Sequence, residues 1–322
     1  MIVPASSLAA LAGLLFASFA MAQPNSLRCV PENAGHVKVV VPYPPGGPTD
    51  ALARQMDSRH AIIENKAGAA GLIGAEFVAK SPPDGKTLLF INTSALTVWP
   101  ALLRRMAFDP MADLVPVSGI AAMPLVLVAN PAANIRSVAD LRASAGGSSR
   151  PINLAIPGQG TFEHVASMQM RSAFNAQFSI VPYKGSGPAI TDTVQGQTEL
   201  ALLPLGAVAD LIKNDKLKAL AVTSSTRLRE LPNVPTLAES GATGFEATNW
   251  MGLFAPKGTP REKIDCFHKS TQQFVNLPEV VAKGKDLKIQ LVGNTPEAFQ
   301  TQMRSESAKW SQVVRSHNLR AD

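Results

Sequence analysis

One feature constrains this chain more than any other: short apolar runs of strand character end, again and again, in loops built from glycine, proline and small hydroxyl residues, and a helix follows each loop. The first instance is the clearest. His36 to Val41 is β-rich and stops at Tyr43-Pro44-Pro45-Gly46-Gly47-Pro48-Thr49-Asp50. Prolines and glycines end the strand, and Pro48 suits a first helical turn, where its missing N–H costs nothing. Thr49 and Asp50 place oxygen acceptors where the free amides of that turn sit. Ala61 to Glu64 then leads through Gly68, Gly71 and Gly74 into a helix reaching Ala79. Thr87 to Ile91 ends in Asn92-Thr93-Ser94. Ile152 to Ile156 ends in Gly158-Gln159-Gly160-Thr161, with a helix from Phe162. Phe178 to Val181 ends in Tyr183-Lys184-Gly185-Ser186-Gly187-Pro188, with a helix from Pro188 to Val194.

Further strands are expected at Leu125–Ala129, Leu200–Leu203, Ala219–Val222 and Gly252–Ala255. A short helix capped by Ser137 precedes a linker over 146–150, and amphipathic helices lie around Phe267–Val275 and Pro296–Val314. Strands alternating with helices predict an α/β fold with parallel sheets. The length of 322 residues allows two ordinary domains, and 46% hydrophobic residues can fill their cores.

The N-terminus reads as an export signal. Ser7 to Ala20 is uncharged and apolar, and Ala20-Met21-Ala22 is a small-x-small cleavage site, so residues 1–22 are expected to be removed. No Lys or Arg precedes Arg28, so the free amino group alone supplies the positive start. The expected location is the periplasm. A formal net charge of +6 suits either a solvated surface or the steering of an anionic ligand. Lys and Arg are scattered, without interleaved aromatics, which argues against nucleic acid as a partner. Cys29 and Cys266 could pair in an oxidising compartment or remain two separate thiols. They lack C-x-x-C spacing, and the five histidines lie far apart, so neither a metal site nor a cofactor is expected.

The fragments that resemble catalytic motifs are each incomplete. Asp84-Gly85-Lys86-Thr87 has the end of a phosphate loop, but Lys80 stands where its first glycine belongs. Ala70 breaks the G-x-G start of a dinucleotide fingerprint, and Gly185-Ser186-Gly187 is not a nucleophile elbow. His164 is the one histidine in a candidate cleft loop, and it has no adjacent nucleophile or orienting carboxylate in the sequence pattern. What remains is binding chemistry, since loops of Gly, Ser and Thr offer amides and hydroxyls to an anion.

The order of motifs resembles that of the Bug family, the extracytoplasmic receptors of tripartite tricarboxylate transporters. Val39 to Asp50 is similar to its V-P-F-P-P-G-G-x-T-D signature, and Glu64 to Gly71 to its E-N-x-x-G-A-x-G. Pro83 to Leu89, Gly158 to Thr161 with His164, Val181 to Ala189, Leu231 to Thr236 and Trp250 to Pro256 follow in order. The resemblance implies a type II-like solute-binding fold, two Rossmann-like lobes joined by crossing strands. Lobe one would hold 23–123 plus 248–322, and lobe two 124–247.

It also implies a non-enzymatic monomer that captures a small organic acid and passes it to membrane transporter subunits. Tyr43, Gly47, Thr49, Asp50, Thr93 and Ser94 would line one wall. Gly158, Gly160, Thr161, His164, Tyr183 and Gly185 would line the other. Cys29 and Cys266 would share a lobe, which brings a disulfide between them within reach. Three positions depart from the family pattern. The first helix, Asp50 to His60, is short; Leu203 stands where many relatives have Asp; and Ile156-Pro157 replaces a Ser-Ser pair. A sensory subunit contacting a membrane kinase is the alternative role, and a periplasmic hydrolase a more distant one.

Overall fold

The computed structural model describes Cys29 and residues 35–56, 61–147, 151–175 and 177–320. The expected signal segment lies outside the described residues, as do 57–60, the end of the expected first helix. In chain order the elements begin with β1 (Val37–Val41), α1 (Pro48–Ala53), β2 (Ala61–Asn65), α2 (Leu72–Ala79) and β3 (Thr87–Asn92). Three single-turn helices, α3 (Ser94–Thr97), α4 (Trp99–Leu102) and α5 (Pro110–Asp113), lead into the long strand β4 (Leu114–Ala129). Then come α6 (Val138–Gly147), β5 (Ile152–Ile156), α7 (Phe162–Phe174), β6 (Phe178–Pro182), α8 (Ser186–Val194), β7 (Leu200–Pro204), α9 (Leu205–Lys213) and β8 (Lys218–Val222). The chain finishes with β9 (Thr248–Pro256), α10 (Arg261–Phe274), α11 (Pro278–Leu287), β10 (Gln290–Leu291) and α12 (Pro296–Ser316).

The strands hydrogen-bond in the order β2-β1-β3-β9-β4-β7-β5-β6, with β8 and β10 attached to β4. The expected parallel pairing is found within each lobe: β1 with β2 and β3, and β5 with β6 and β7. The centre is antiparallel. The first part of β4 pairs with β9, from Leu114 opposite Pro256 to Pro124 opposite Thr248. From Leu125 onward β4 pairs instead with β7 and β8. Two strands therefore cross between two α/β lobes, the type II-like solute-binding arrangement.

Two irregularities in the β4–β9 pair fall at residues that suit them. The β4–β9 register slips between Pro116 and Ser118, and again between Gly119 and Ala121. A bulge tolerates a residue with no N–H and adds local twist. Thr223, fully buried just past β8, holds the crossing point together. Its hydroxyl accepts from the Leu125 amide at 3.1 Å and reaches the Ala247 carbonyl at 2.5 Å, while its own amide donates to the Leu125 carbonyl at 3.0 Å.

Helix α12 braces the two lobes. Its Phe299 and Met303 belong to the core that holds Val40, Leu89, Ile91 and Phe254. Further along, Trp310 and Val314 belong to the core built from Leu125, Leu154, Ile156 and α7. There Trp310 meets Phe162 edge-on, with ring centroids 5.1 Å apart. The brace depends on two glycines. Gly119 and Gly252 are register partners on the crossing strands, and the Phe299 ring lies over both. Cys29 is joined to Cys266 of α10 in a disulfide, with Cα atoms 5.6 Å apart.

A Cβ at position 252 would stand 2.3 Å from the Phe299 ring. We expect Gly252→Ala to lower the unfolding free energy by about 1–3 kcal/mol, the usual cost of overpacking a filled core. Urea denaturation checks this, and an unchanged midpoint would show that Phe299 can move aside freely.

A candidate ligand cleft at the strand ends

The first wall grows from the end of β1. Asp50, 1% exposed, accepts from the Gly46 amide at 2.9 Å and from the Asn65 side-chain amide at 2.8 Å. The Arg54 guanidinium donates to it at 2.8 Å and to Asn65 Oδ1 at 2.8 Å, and Asn65 Nδ2 reaches the Tyr43 carbonyl at 3.1 Å. The whole glycine-proline loop is therefore tied to one carboxylate. Burial works to raise the pKa of Asp50, but Arg54, Gly46 and Asn65 outweigh it and hold the carboxyl at about 2. Thr49 donates to Asn92 Oδ1 at 3.0 Å, which fixes this loop against the next one. No heavy atom lies within 4 Å of where a Cβ would stand at Gly46 or Gly47, so this backbone faces open space. The Tyr43 phenol lies beside Gly71, and burial pushes its ionisation far up, offset in part by the Asn92 backbone. Thr93 is buried and donates its amide to the Trp250 carbonyl at 2.7 Å, and Ser94 opens the next turn.

The second wall follows β5 and β6. Thr161 caps α7, accepting from the His164 amide at 3.3 Å and donating to the Gly158 carbonyl at 2.9 Å. The Gly160 amide donates to His164 Nδ1 at 3.2 Å. That nitrogen must be unprotonated to accept, so the neutral ring carries its proton on Nε2 and can offer it as a donor. Burial lowers the pKa of His164 and favours the same neutral form. The next loop is stitched alongside. Gly185 donates to the Pro157 carbonyl at 2.7 Å, and Tyr183 donates its amide to the Ile156 carbonyl at 2.9 Å. The Tyr183 hydroxyl donates to Asp192 at 2.8 Å, and burial together with that carboxylate pushes its ionisation up to about 12.

The two walls approach each other at Trp99, which lies just beyond Ser94 in the chain. A Cβ on Gly160 would sit 3.5 Å from the Trp99 ring, so the second lobe's glycine loop rests against an aromatic from the first. Residues named from the sequence thus fall into two groups. Tyr43, Gly47, Thr93, Ser94, Gly158, Gly160, Thr161, His164 and Gly185 form or flank the loops at the strand ends. Asp50, Thr49 and the Tyr183 hydroxyl already have internal partners and hold those loops in shape.

Sequence reasoning passed over Trp99, Glu163, Asn249 and Trp250 as site residues. Asn249 Oδ1 and Trp250 Nε1 are buried without a hydrogen-bond partner among the described residues. The bond between the Thr93 amide and the Trp250 carbonyl sets both beside the β3 loop. The only available signal was Trp250's place in the motif series, since the orphaned polar atoms are a property of the folded chain.

Two α/β lobes on crossing strands, with polar glycine loops converging at the strand ends, define a solute-binding receptor. The tripartite tricarboxylate transporter family receptors match residues 49–319 as a family, and the chain belongs to that family of periplasmic receptors, which are not enzymes. Among its relatives, Protein BugT of Bordetella pertussis is 34% identical over 96% of both chains. Two solved structures from Rhodopseudomonas palustris align closely. Rpa4515 with adipate is 30% identical with a TM-score of 0.75, covering 88% of this chain and 98% of that one. MatC with bound malate is 28% identical with a TM-score of 0.72, covering 87% and 98%.

The low pKa of Asp50 has a consequence for stability. A carboxyl held at about 2 when folded, against an ordinary 3.8, stabilises the fold fully above about pH 4, and that contribution is lost as pH falls through 2. Its size is about 2 kcal/mol. Asp50→Asn should remove this pH dependence between pH 4 and 2, as read from urea midpoints; a parallel fall in wild type and variant would refute the pinning role.

Proposed function

We propose that the protein is exported, lies in the periplasm as a monomer, and captures a small organic acid between its lobes for delivery to the membrane subunits of a tripartite tricarboxylate-type transporter. Residues 1–22 are its signal peptide. Lobe one is 23–123 plus 248–322 and lobe two is 124–247, with the second half of α12 lent to the core of lobe two. The observation that carries the reading is the pairing of two amide- and hydroxyl-rich loop sets, one from each lobe, meeting at Trp99 and Gly160. The adipate and malate held by the two related structures support an acid as ligand.

Carboxylate recognition would fall to main-chain amides and small hydroxyls of the 43–47, 93–94 and 158–161 loops, with His164 Nε2–H as a neutral donor. Such donors bind an anion without a buried cation. Lobe closure would exclude water and strengthen each of these bonds. The crossing strands supply the hinge. An equally folded sensory subunit would bind the same ligand, and membrane transporter genes beside this one would favour transport.

Calorimetric titration of the mature protein against mono-, di- and tricarboxylates tests the reading. At least one acid should bind with measurable heat and raise the melting temperature, and His164→Ala should weaken it by about tenfold or more, the worth of one buried hydrogen bond. Silence from every acid would refute the receptor role.

A further inference from the structure

Asp50 and Glu163 are the two acids almost wholly buried among the described residues, and they occupy matching places. Each stands in the first turn of a helix that follows a glycine-bearing loop at the end of a parallel strand. Their surroundings differ. Asp50 has an arginine, an asparagine amide and a backbone N–H on its oxygens. Glu163 is 7% exposed and has no cation against it among the described residues. Burial pushes its pKa up, offset in part by its own backbone amide and the Thr161 hydroxyl, whose proton is directed to the Gly158 carbonyl.

A glutamate in a first helical turn is favourable beside the positive helix end, which accounts for an acid at this position but not for its burial. Burying a carboxylate without a counter-charge is costly, and such groups persist where a ligand completes them. The neighbours are already engaged. Phe162 packs on Trp310, and the His164 ring is turned back to Gly160. Glu163 stands between them at the mouth of α7, next to the loop that rests against Trp99 from the other lobe. Asn249, 5% exposed at the crossing strands, has a buried Oδ1 without a partner among the described residues.

We infer that Glu163 selects the ligand, by accepting a hydrogen bond from an ammonium or hydroxyl group that the bound acid carries beside its carboxylate. This rests on the receptor reading above and narrows its ligand class to amino- or hydroxy-substituted acids. A site built to receive a donor discriminates strongly against the analogue that lacks it, because the buried acceptor is then left unpaired. An unsubstituted diacid would also bring a negative charge toward Glu163 with nothing to offset it.

The test uses matched acids differing only in that substituent: succinate, malate and aspartate, with the longer homologues of each, titrated at pH 7 against the wild-type chain and Glu163→Gln. The substituted acids should bind the wild type more tightly than the plain acid of the same length by about tenfold or more. Glu163→Gln should bring that ratio close to one and improve binding of the plain acid. The variant should also melt higher than the wild type without ligand, since an uncompensated buried charge is gone; this shows that it folds. The aspartate and malate arms separate ammonium from hydroxyl. Equal binding of plain and substituted acids by the wild type, or a ratio that survives in Glu163→Gln, would overturn the assignment of Glu163 while leaving the receptor reading intact. Binding of no acid of any kind would overturn both, with the receptor reading as the cause.

Discussion

Everything in this molecule hangs on the antiparallel pair made by β4 and β9. Two parallel-stranded lobes could fold side by side without it, but their strand ends would have no fixed relation. Strand β4 pairs with β9 in the first sheet and runs on to pair with β7 and β8 in the second, so the β1 and β3 loops and the β5 and β6 loops keep a common frame. Its geometry depends on residues with little or no side chain. Gly119 opposite Gly252 lets the Phe299 ring lie on the backbone, and that contact sets where α12 begins its run across to the second lobe. Thr223 then closes the other end by bonding both passages of chain.

Around that frame the loops are held by polar bonds rather than by packing. In the first lobe a single carboxylate, Asp50, gathers the loop amide, Asn65 and Arg54. In the second, main-chain bonds from Gly185 and Tyr183 tie one loop to its neighbour, and Thr161 and His164 shape the other. Preorganised donors of this kind cost little to reorient when an anion arrives. Asp50 is fully compensated, whereas Glu163 in the matching place of the second lobe has no cation against it among the described residues.

Much of this was legible in the sequence where structure is local. Val37–Val41 and Ile152–Ile156 end where their prolines and glycines say they should, and Thr161 caps α7 as its position suggests. The motif order gave the family and its two-lobed fold. Strand β4 was legible only from Leu125 onward, because Pro116, Gly119 and Pro124 are poor strand residues; they fall where the register slips or the partner changes. Helix α9 begins immediately after β7 with no loop to announce it, and α11 was passed over as well. Trp99, Asn249 and Trp250 could not be placed, since their meaning comes from contacts between distant segments. Glu163 reads in sequence as an ordinary first-turn acid, and only its burial sets it apart.

The most direct test of the account is a crystal structure of the protein with an acid bound. The account predicts the carboxylate between the lobes, within hydrogen-bond distance of the 158–161 loop and facing the 43–47 loop, with Trp99 and Gly160 still in contact. An acid seated elsewhere, for example in the groove between Arg229 and Lys285, with the strand-end loops untouched, would contradict it.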